Sequence, residues 1–388
     1  MTEYKLGDLI KDIAAGPFGS NLKVECFVES GFPIIDGANL KGFKVTDNIT
    51  KFVTEEKARS LHRSIAKRND VIVTISGNVG QIAYIPDNSK YLEYLVSQRQ
   101  FRATFDVTKV DVPFLVYYFH TREGQHKILS FANQVGVPAL AQPLKNFREI
   151  ELELPPIDVQ NRIAGVLSSL DDKIDLLHRE NATLEQMAET LFRQWFVVEA
   201  KEEWEEGKLG DEFDFTMGQS PNGDSFNEEG IGVPMYQGNA DFGFRFPTRR
   251  VFTTQPTRFA EVNDTLISVR APVGAQNMAT ERCCIGRGVA AFRYKDNPSY
   301  YSYTYYKLKS LLEEIRQFND NGTVFGSISK SDFENLDIMI PDDETIEMFQ
   351  KQVKVIDDKI INNNNEIQTL IQTRDGLLPK LMSNEISI

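Results

Sequence analysis

With 388 residues, 41% hydrophobic and 26% charged, the chain has room for two or three domains with their own cores and the make-up of an ordinary soluble protein. Three cysteines (Cys26, Cys283, Cys284) exclude a disulfide framework. No apolar run reaches membrane-spanning length and the opening MTEYKLGDLIKD has no apolar signal core, so the cytoplasm is the expected compartment. The net charge of −13 argues against a nucleic-acid binder until it is mapped: residues 1–154 carry +1 and 207–340 carry −3, while 155–206 carry −7 and 341–388 carry −4.

In chain order, residues 1–154 read as a globular domain of mixed strands and helices, with strand-like runs at Asp70 to Ser76 and Ile150 to Leu154. Pro155-Pro156 closes it and precedes a long helical pattern, as proline is tolerated ahead of a helix. The stretch Glu199 to Gly207 is an acidic linker. A second domain over 207–340 has strand-like runs at Asp264 to Val269 and Leu336 to Ile340, and a second helical segment fills 341–388. The two halves repeat. Lys5-Leu6-Gly7-Asp8 recurs as Lys208-Leu209-Gly210-Asp211; Pro33, Gly37, Gly42 and Phe43 as Pro234, Gly238, Gly243 and Phe244; Asn69-Asp70 as Asn263-Asp264; Val79-Gly80 as Val273-Gly274. Arg99 and Tyr117-Tyr118 recur as Arg287 and Tyr305-Tyr306. The offset falls from 203 to 186, as surface loops of unequal length allow. It then stays at 186 from Gly136/Gly322 through Phe147/Phe333 and Pro155/Pro341 to Asp171-Asp172-Lys173-Ile174 and Asp357-Asp358-Lys359-Ile360, as expected of a helix without insertions.

The first helix carries Ile163, Leu167, Leu170, Ile174, Leu177, Leu184, Ala188, Leu191 and Trp195 at heptad spacing, with Asn181 in a polar slot. The second carries Phe349, Val353, Ile356, Ile360, Ile367, Leu370, Leu377 and Leu381, with Asn363 and Arg374 in polar slots. More than four heptads predict a coiled coil; two amphipathic helices on separate cores are the alternative. An antiparallel pair within the chain has a pseudo-twofold axis that puts the two domains at opposite ends of a rod. Full overlap pairs residues whose numbers sum to 544, which sets Asn181 against Asn363, a buried polar pair of the kind that fixes register. Thirty-three residues of helix span ~50 Å, more than the roughly 34–36 Å of one DNA turn, so such a rod can act as a ruler.

These residues resemble the specificity subunits of type I restriction–modification systems, over nearly the whole chain. Pro155-Pro156, Gln160, Ile163-Ala164, Leu167, Asp171, Lys173-Ile174, Leu184-Glu185 and Leu191-Phe192 to Phe196 look like that family's central conserved region. Lys208-Leu209-Gly210-Asp211 through Gly218-Gln219-Ser220-Pro221 resembles the opening of a target-recognition domain. The resemblance implies a mixed α/β (α+β) fold: two target-recognition domains separated by an antiparallel two-helix coiled coil. It also implies that each domain reads one half of a split, asymmetric site on double-stranded DNA. The helices would dock two modification subunits that methylate adenine N6 with S-adenosylmethionine. Restriction subunits, ATP- and Mg-dependent translocases and nucleases, would complete the assembly, and this chain would bind no cofactor itself. The sequence departs from its own repeat at Gly16-Pro17-Phe18-Gly19-Ser20 against Gly218-Gln219-Ser220-Pro221, at Gln160 against Ile346, and at Arg374.

No catalytic set emerges. Asn297-Pro298-Ser299-Tyr300 resembles the loop of an adenine methyltransferase, but Gly286-Arg287-Gly288 makes a poor cofactor turn and the matching positions in the first half are Lys109 to Val112. No Gly-x-x-x-x-Gly-Lys-Ser/Thr loop is present, and His62, His120, His126 and His178 show no metal-ligand spacing. A methyltransferase, or a protein-interaction scaffold that never touches DNA, are the competing readings. Bases are read by Arg, Lys, Asn and Gln, and phosphates are held by cations. The candidates in the first domain are therefore Ser20, Asn21, Lys23, Lys41, Lys44, Asn78, Gln98 and Arg99. Those in the second are Gln219, Ser220, Asn222, Asn239, Arg245, Arg249, Arg250, Arg270 and Arg287, with Arg249-Arg250 expected on phosphates.

Overall fold

The repeated dipeptides of the sequence are turns and close approaches. In Lys-Leu-Gly-Asp, the leucine is fully buried and its N–H reaches back across the domain, from Leu6 to the Ile150 carbonyl and from Leu209 to the Leu336 carbonyl, both at 2.8 Å. A Cβ on the following glycine would stand 3.1 Å from the Arg148 carbonyl oxygen at Gly7 and 3.2 Å from Glu334 at Gly210, so a side chain there would push the backbones apart. In Asn-Asp, the asparagine is left-handed (φ 67° at Asn69, 69° at Asn263), which asparagine tolerates better than most residues. The aspartate then accepts the backbone N–H three residues back, Lys67 at 2.9 Å and Glu261 at 2.8 Å, closing the turn that enters the next strand.

The computed structural model describes residues 1–133, 138–318 and 326–386; Gly136 and Gly322, the first pair at the constant offset, lie outside them. The chain forms two compact units, Met1–Leu176 with Ile367–Ile388, and Leu177–Glu366. Each contains one globular domain and a stretch of both long helices, Ile157–Arg193 and Asp343–Met382.

In the first unit, strand Thr2–Lys5 pairs antiparallel with Glu151–Leu154. A four-stranded sheet runs Ile10–Ala15, Gln100–Phe105, Val71–Thr74, Ile82–Tyr84, and a five-stranded sheet runs Phe27–Val28, Phe52–Val53, Phe32–Ile35, Glu93–Val96, Ile65–Lys67. Within the latter, Phe32–Ile35 and Glu93–Val96 are parallel. The second unit has the same three sheets in the same strand order: Glu205–Lys208 with Asp337–Ile340; Phe213–Met217, Val289–Tyr294, Thr265–Ser268, Gln276–Met278; and Phe226–Asn227, Val251–Thr253, Val233–Tyr236, Cys283–Ile285, Phe259–Ala260. Its parallel pair is Val233–Tyr236 with Cys283–Ile285. The repeat is thus one topology used twice, and the mixed α/β reading holds.

The long helices pair within each unit. In the first, Ile163, Ala164 and Leu167 share a core with Leu378 and Leu381, and Arg374 donates to Asp171 at 2.7 Å. In the second, Phe192 packs on Phe349 with ring centroids 5.6 Å apart, and the Asn363 amide donates to the Asn181 side-chain oxygen at 2.9 Å, both residues buried. Numbers climb on one helix as they fall on the other, which is antiparallel pairing in the expected register. Ile163, Leu167, Ile174, Leu177, Val353, Ile360 and Ile367 are buried along this seam; Leu170, Leu184, Leu191, Ile356, Leu370 and Leu377 are half-buried.

Side-chain amides tie helix to domain. Gln160 accepts the Asp111 N–H at 3.0 Å and donates to the Pro155 carbonyl at 2.8 Å. Its counterpart Ile346 is buried in the second unit, where Gln350, one turn further along, accepts the Tyr303 N–H at 3.1 Å.

Candidate nucleic-acid interface

The loops that follow three strands of the first unit, Phe32–Ile35, Val71–Thr74 and Glu93–Val96, converge. Backbone bonds hold them there: Ser97 N–H to the Ile35 carbonyl at 3.0 Å and Ile75 N–H to the Arg99 carbonyl at 2.8 Å. Between them lies an open groove of about 730 Å3 whose walls carry Lys41, Asn78, Gln98 and Arg99, four of the sequence candidates. It adds Lys51 and Gln81, which sequence reasoning missed, and Gln100, which continues the candidate cluster of Gln98 and Arg99. Lys51 is paired with Asp36 at 2.7 Å. Burial pushes the Asp36 pKa up, but the bonds from Lys51 and the Ala38 N–H outweigh it and the net shift is downward, so the groove keeps a carboxylate beside its lysine. Gln100 is fully buried, where it accepts the Ser97 hydroxyl at 3.0 Å. Gln98 and Arg99 are exposed. Amide and guanidinium side chains on a firm floor, in an open groove, suit hydrogen bonding to base edges. Ser20 and Asn21 sit exposed on the turn Gly19–Asn21, close to this rim, where Gly19 approaches the Gln98 side chain; Lys23 is exposed just beyond it.

Two candidates are corrected by their surroundings. Lys44 does not reach out to solvent: its ammonium lies against the first long helix, 2.6 Å from Asp172 and 3.5 Å from Asp175. Arg245, its repeat partner, is 1% exposed. Its guanidinium is 2.8 Å from the equally buried Asp357 and stacks over the Tyr305 ring at 3.3 Å. Burial works against that charge, but Asp357, Tyr305 and Tyr306 outweigh it and the arginine pKa is raised. Both cations hold a domain to a helix and neither is available to DNA. Asp171, which is Asp357 shifted by the repeat offset, does the matching work in the first unit, accepting the Tyr117 hydroxyl and Arg374. Glu185, also buried, receives Lys309 and the Tyr305 hydroxyl. The signal for Asp171 and Asp357 was present, since Asp171-Asp172-Lys173-Ile174 repeats, but a charge beside an apolar heptad reads as solvated until its partners are seen.

In the second unit, Gln219, Ser220 and Arg287 come together: the Arg287 N–H donates to the Ser220 hydroxyl oxygen at 3.3 Å, and the Gln219 N–H reaches the Ile285 carbonyl at 3.0 Å. Arg287 follows the parallel strand of its sheet as Arg99 does, and both are exposed. Asn222 caps the turn Gly223–Ser225, and Asn239 and Arg270 are exposed. Arg249 is bonded to Glu281 at 2.5 Å and Arg250 to Asp241 at 2.8 Å, so each meets any phosphate from within an existing ion pair.

Asn297-Pro298-Ser299-Tyr300 is a local turn in which the Asn297 side chain accepts the Ser299 N–H and hydroxyl at 3.0 and 2.7 Å, leading into helix Tyr301–Ser310. That accounts for its residues without a reaction. Among the described residues no cluster of His, Cys, Asp and Glu could hold a metal ion, and no helix is long and apolar enough to cross a membrane.

Relatives share this plan. A provisionally named specificity subunit of the MjaX type I restriction enzyme from Methanocaldococcus jannaschii is 26% identical over 377 residues, 92% of this chain and 88% of that one. The MjaIX specificity subunit of the same organism is 23% identical, covering 98% of this chain and 93% of its own. The crystal structure of a type I restriction–modification S subunit from M. genitalium superposes with a TM-score of 0.61 at 18% identity, over 98% of this chain and 95% of that one, a likeness of fold. The family described as type I restriction modification DNA specificity domain matches residues 2–186 and again 201–373, once on each repeat. The chain therefore belongs to the type I restriction–modification DNA specificity family, with two copies of its domain in tandem.

Proposed function

We propose that this chain is the DNA-reading subunit of a type I restriction–modification complex and has no catalytic activity of its own. Each domain reads one half of a bipartite, asymmetric target. The carrying observation is the family match on both repeats, joined to a groove lined by Arg99, Gln98, Asn78 and Lys41 in the first and to Gln219, Ser220 and Arg287 in the second. Those side chains can donate and accept in the patterns that separate one base pair from another. The long helices set the gap between half-sites and dock two modification subunits. A helix of 37 residues is ~55 Å long, and the buried Asn181–Asn363 pair locks its register. S-adenosylmethionine, ATP and Mg are used by the modification and restriction partners, in the cytoplasm.

Methylation sequencing of cells expressing this chain with its neighbouring modification subunit tests the whole reading. A split adenine-methylated motif is expected. An unsplit motif, or methylation unchanged from cells lacking this chain, refutes it. Inserting one heptad in both long helices should lengthen the motif's central gap; an unaltered gap removes the ruler.

A further inference from the structure

The end of the second long helix meets the first domain at a cleft of about 620 Å3 that the groove above does not include. Lys41 belongs to the walls of both, so cleft and groove adjoin at that residue. Three cations line the cleft: Lys41, Arg122 and Arg374. Arg374 is fixed, held by Asp171 at 2.7 Å and Asp375 at 2.8 Å with its guanidinium 4.8 Å over the Phe43 ring. Lys41 and Arg122 are exposed, and among the described residues neither has an ion-pair partner. His120 is not a fourth cation, because burial pulls its pKa down and its ring nitrogen is bonded to the Ile82 carbonyl at 2.8 Å.

The repeat shows that the fold does not need the charges of Lys41 and Arg122. The offsets that align the two halves put Phe242 at Lys41, Ser310 at Arg122 and Ala188 at Arg374, while the surrounding frame, Gly42-Phe43 and Asp171, persists as Gly243-Phe244 and Asp357. The one lysine beside these positions in the second unit, Lys309, is spanned by Glu185 and Glu189. Among the described residues, the first unit thus keeps exposed positive charge in this cleft, next to its base-reading groove, at positions where the second unit has none.

We propose that this cleft is a phosphate site of the first unit, with Lys41 and Arg122 gripping the DNA backbone as the strand leaves the groove, and Arg374 as their rigid floor. The inference rests on the DNA-reading function above. It assigns the first half-site more of the salt-dependent, sequence-independent affinity than the second, since each phosphate neutralised adds about 0.9 to the slope of log K against log salt.

The test is binding of the full chain, assembled with its modification subunits, to a duplex bearing the methylated motif and to an unrelated duplex, measured by anisotropy across a salt series. The double variant Lys41→Ala/Arg122→Ala should lower the slope by about 0.9 to 1.8 on both duplexes and leave the thermal melt unchanged. Asp375→Asn, which removes a carboxylate from the cleft wall while Asp171 still holds Arg374, should tighten binding to both duplexes. That gain is one a damaged fold would not produce. An unchanged slope in the double variant, a loss confined to one base pair of the motif, or no gain from Asp375→Asn overturns the site. A wild-type complex that binds neither duplex overturns the DNA-reading function beneath it.

Discussion

Replacing Arg245 by methionine separates an anchor from a DNA contact, the role its position and charge first suggest. In the structure its guanidinium and the Asp357 carboxylate are each 1% exposed and 2.8 Å apart. Removing one partner leaves the other charge stranded without water, at a cost of about 3–5 kcal/mol. Within a unit spanning residues 177–366, each kcal/mol moves the melting temperature by roughly 2–4 °C, so Arg245→Met should lower the transition of that unit by ~6–20 °C. Salt should change this little, because neither group faces the solvent that carries the screening ions. The pair is also imperfectly satisfied: the Arg245 Nε and one Asp357 oxygen have no hydrogen-bond partner among the described residues. Arg245→Met combined with Asp357→Leu should therefore recover most of the loss, since apolar replacement of both members is often neutral or stabilising. Differential scanning calorimetry of the three variants with and without added salt measures it. A wild-type melt for Arg245→Met, together with a flatter salt slope for DNA binding, would show the arginine reaching phosphate and the anchor reasoning wrong.

At the helix seam, Asn181→Leu and Asn363→Leu should each cost about 1–3 kcal/mol by leaving the other amide buried and unpaired, and the double variant should cost less than either single; urea melts showing simply additive losses would remove the pair's role. Burial raises the Glu212 pKa, opposed by Lys307 and by the Tyr303 hydroxyl. A carboxyl whose folded pKa lies above its unfolded value stabilises the fold at low pH and loses that contribution as pH rises through the folded value. Glu212→Gln should consequently be more stable than wild type at neutral pH, with the gap closing toward pH 4, and parallel stability profiles for the two proteins would contradict it. In the groove, Arg99→Ala should relax specificity at one position of the first half-site by about 1–3 kcal/mol. Competition binding against point-variant targets reads this directly, and a uniform loss across all variants would move Arg99 from base to backbone.

What the sequence could reveal was whatever the fold uses twice. Lys-Leu-Gly-Asp, Asn-Asp and the heptad seam repeat because each meets a backbone or packing demand that both units share, and a shared demand leaves identical residues at matched positions. The Asn181–Asn363 bond followed from the same logic, since a pseudo-twofold pairing forces the two polar slots to meet. Site residues obey the opposite rule. Two domains that read different half-sites differ at most positions that touch DNA, the matched and exposed Arg99 and Arg287 excepted, so comparing the halves finds few of the residues that matter most. Arg245 and Lys44 misled because each was taken as a reader for its charge alone; the cation stands at the same place in both halves, and its recurrence marks a shared anchor, with Asp357 in one unit and Asp172 in the other. The converse picks out Lys41 and Arg122, which are exposed and have no charged counterpart in the second half. In a duplicated reader, a matched charge that is buried, as at Arg245, points to architecture, and an exposed charge on a matched frame, as at Lys41, Arg99 and Arg122, points to the ligand.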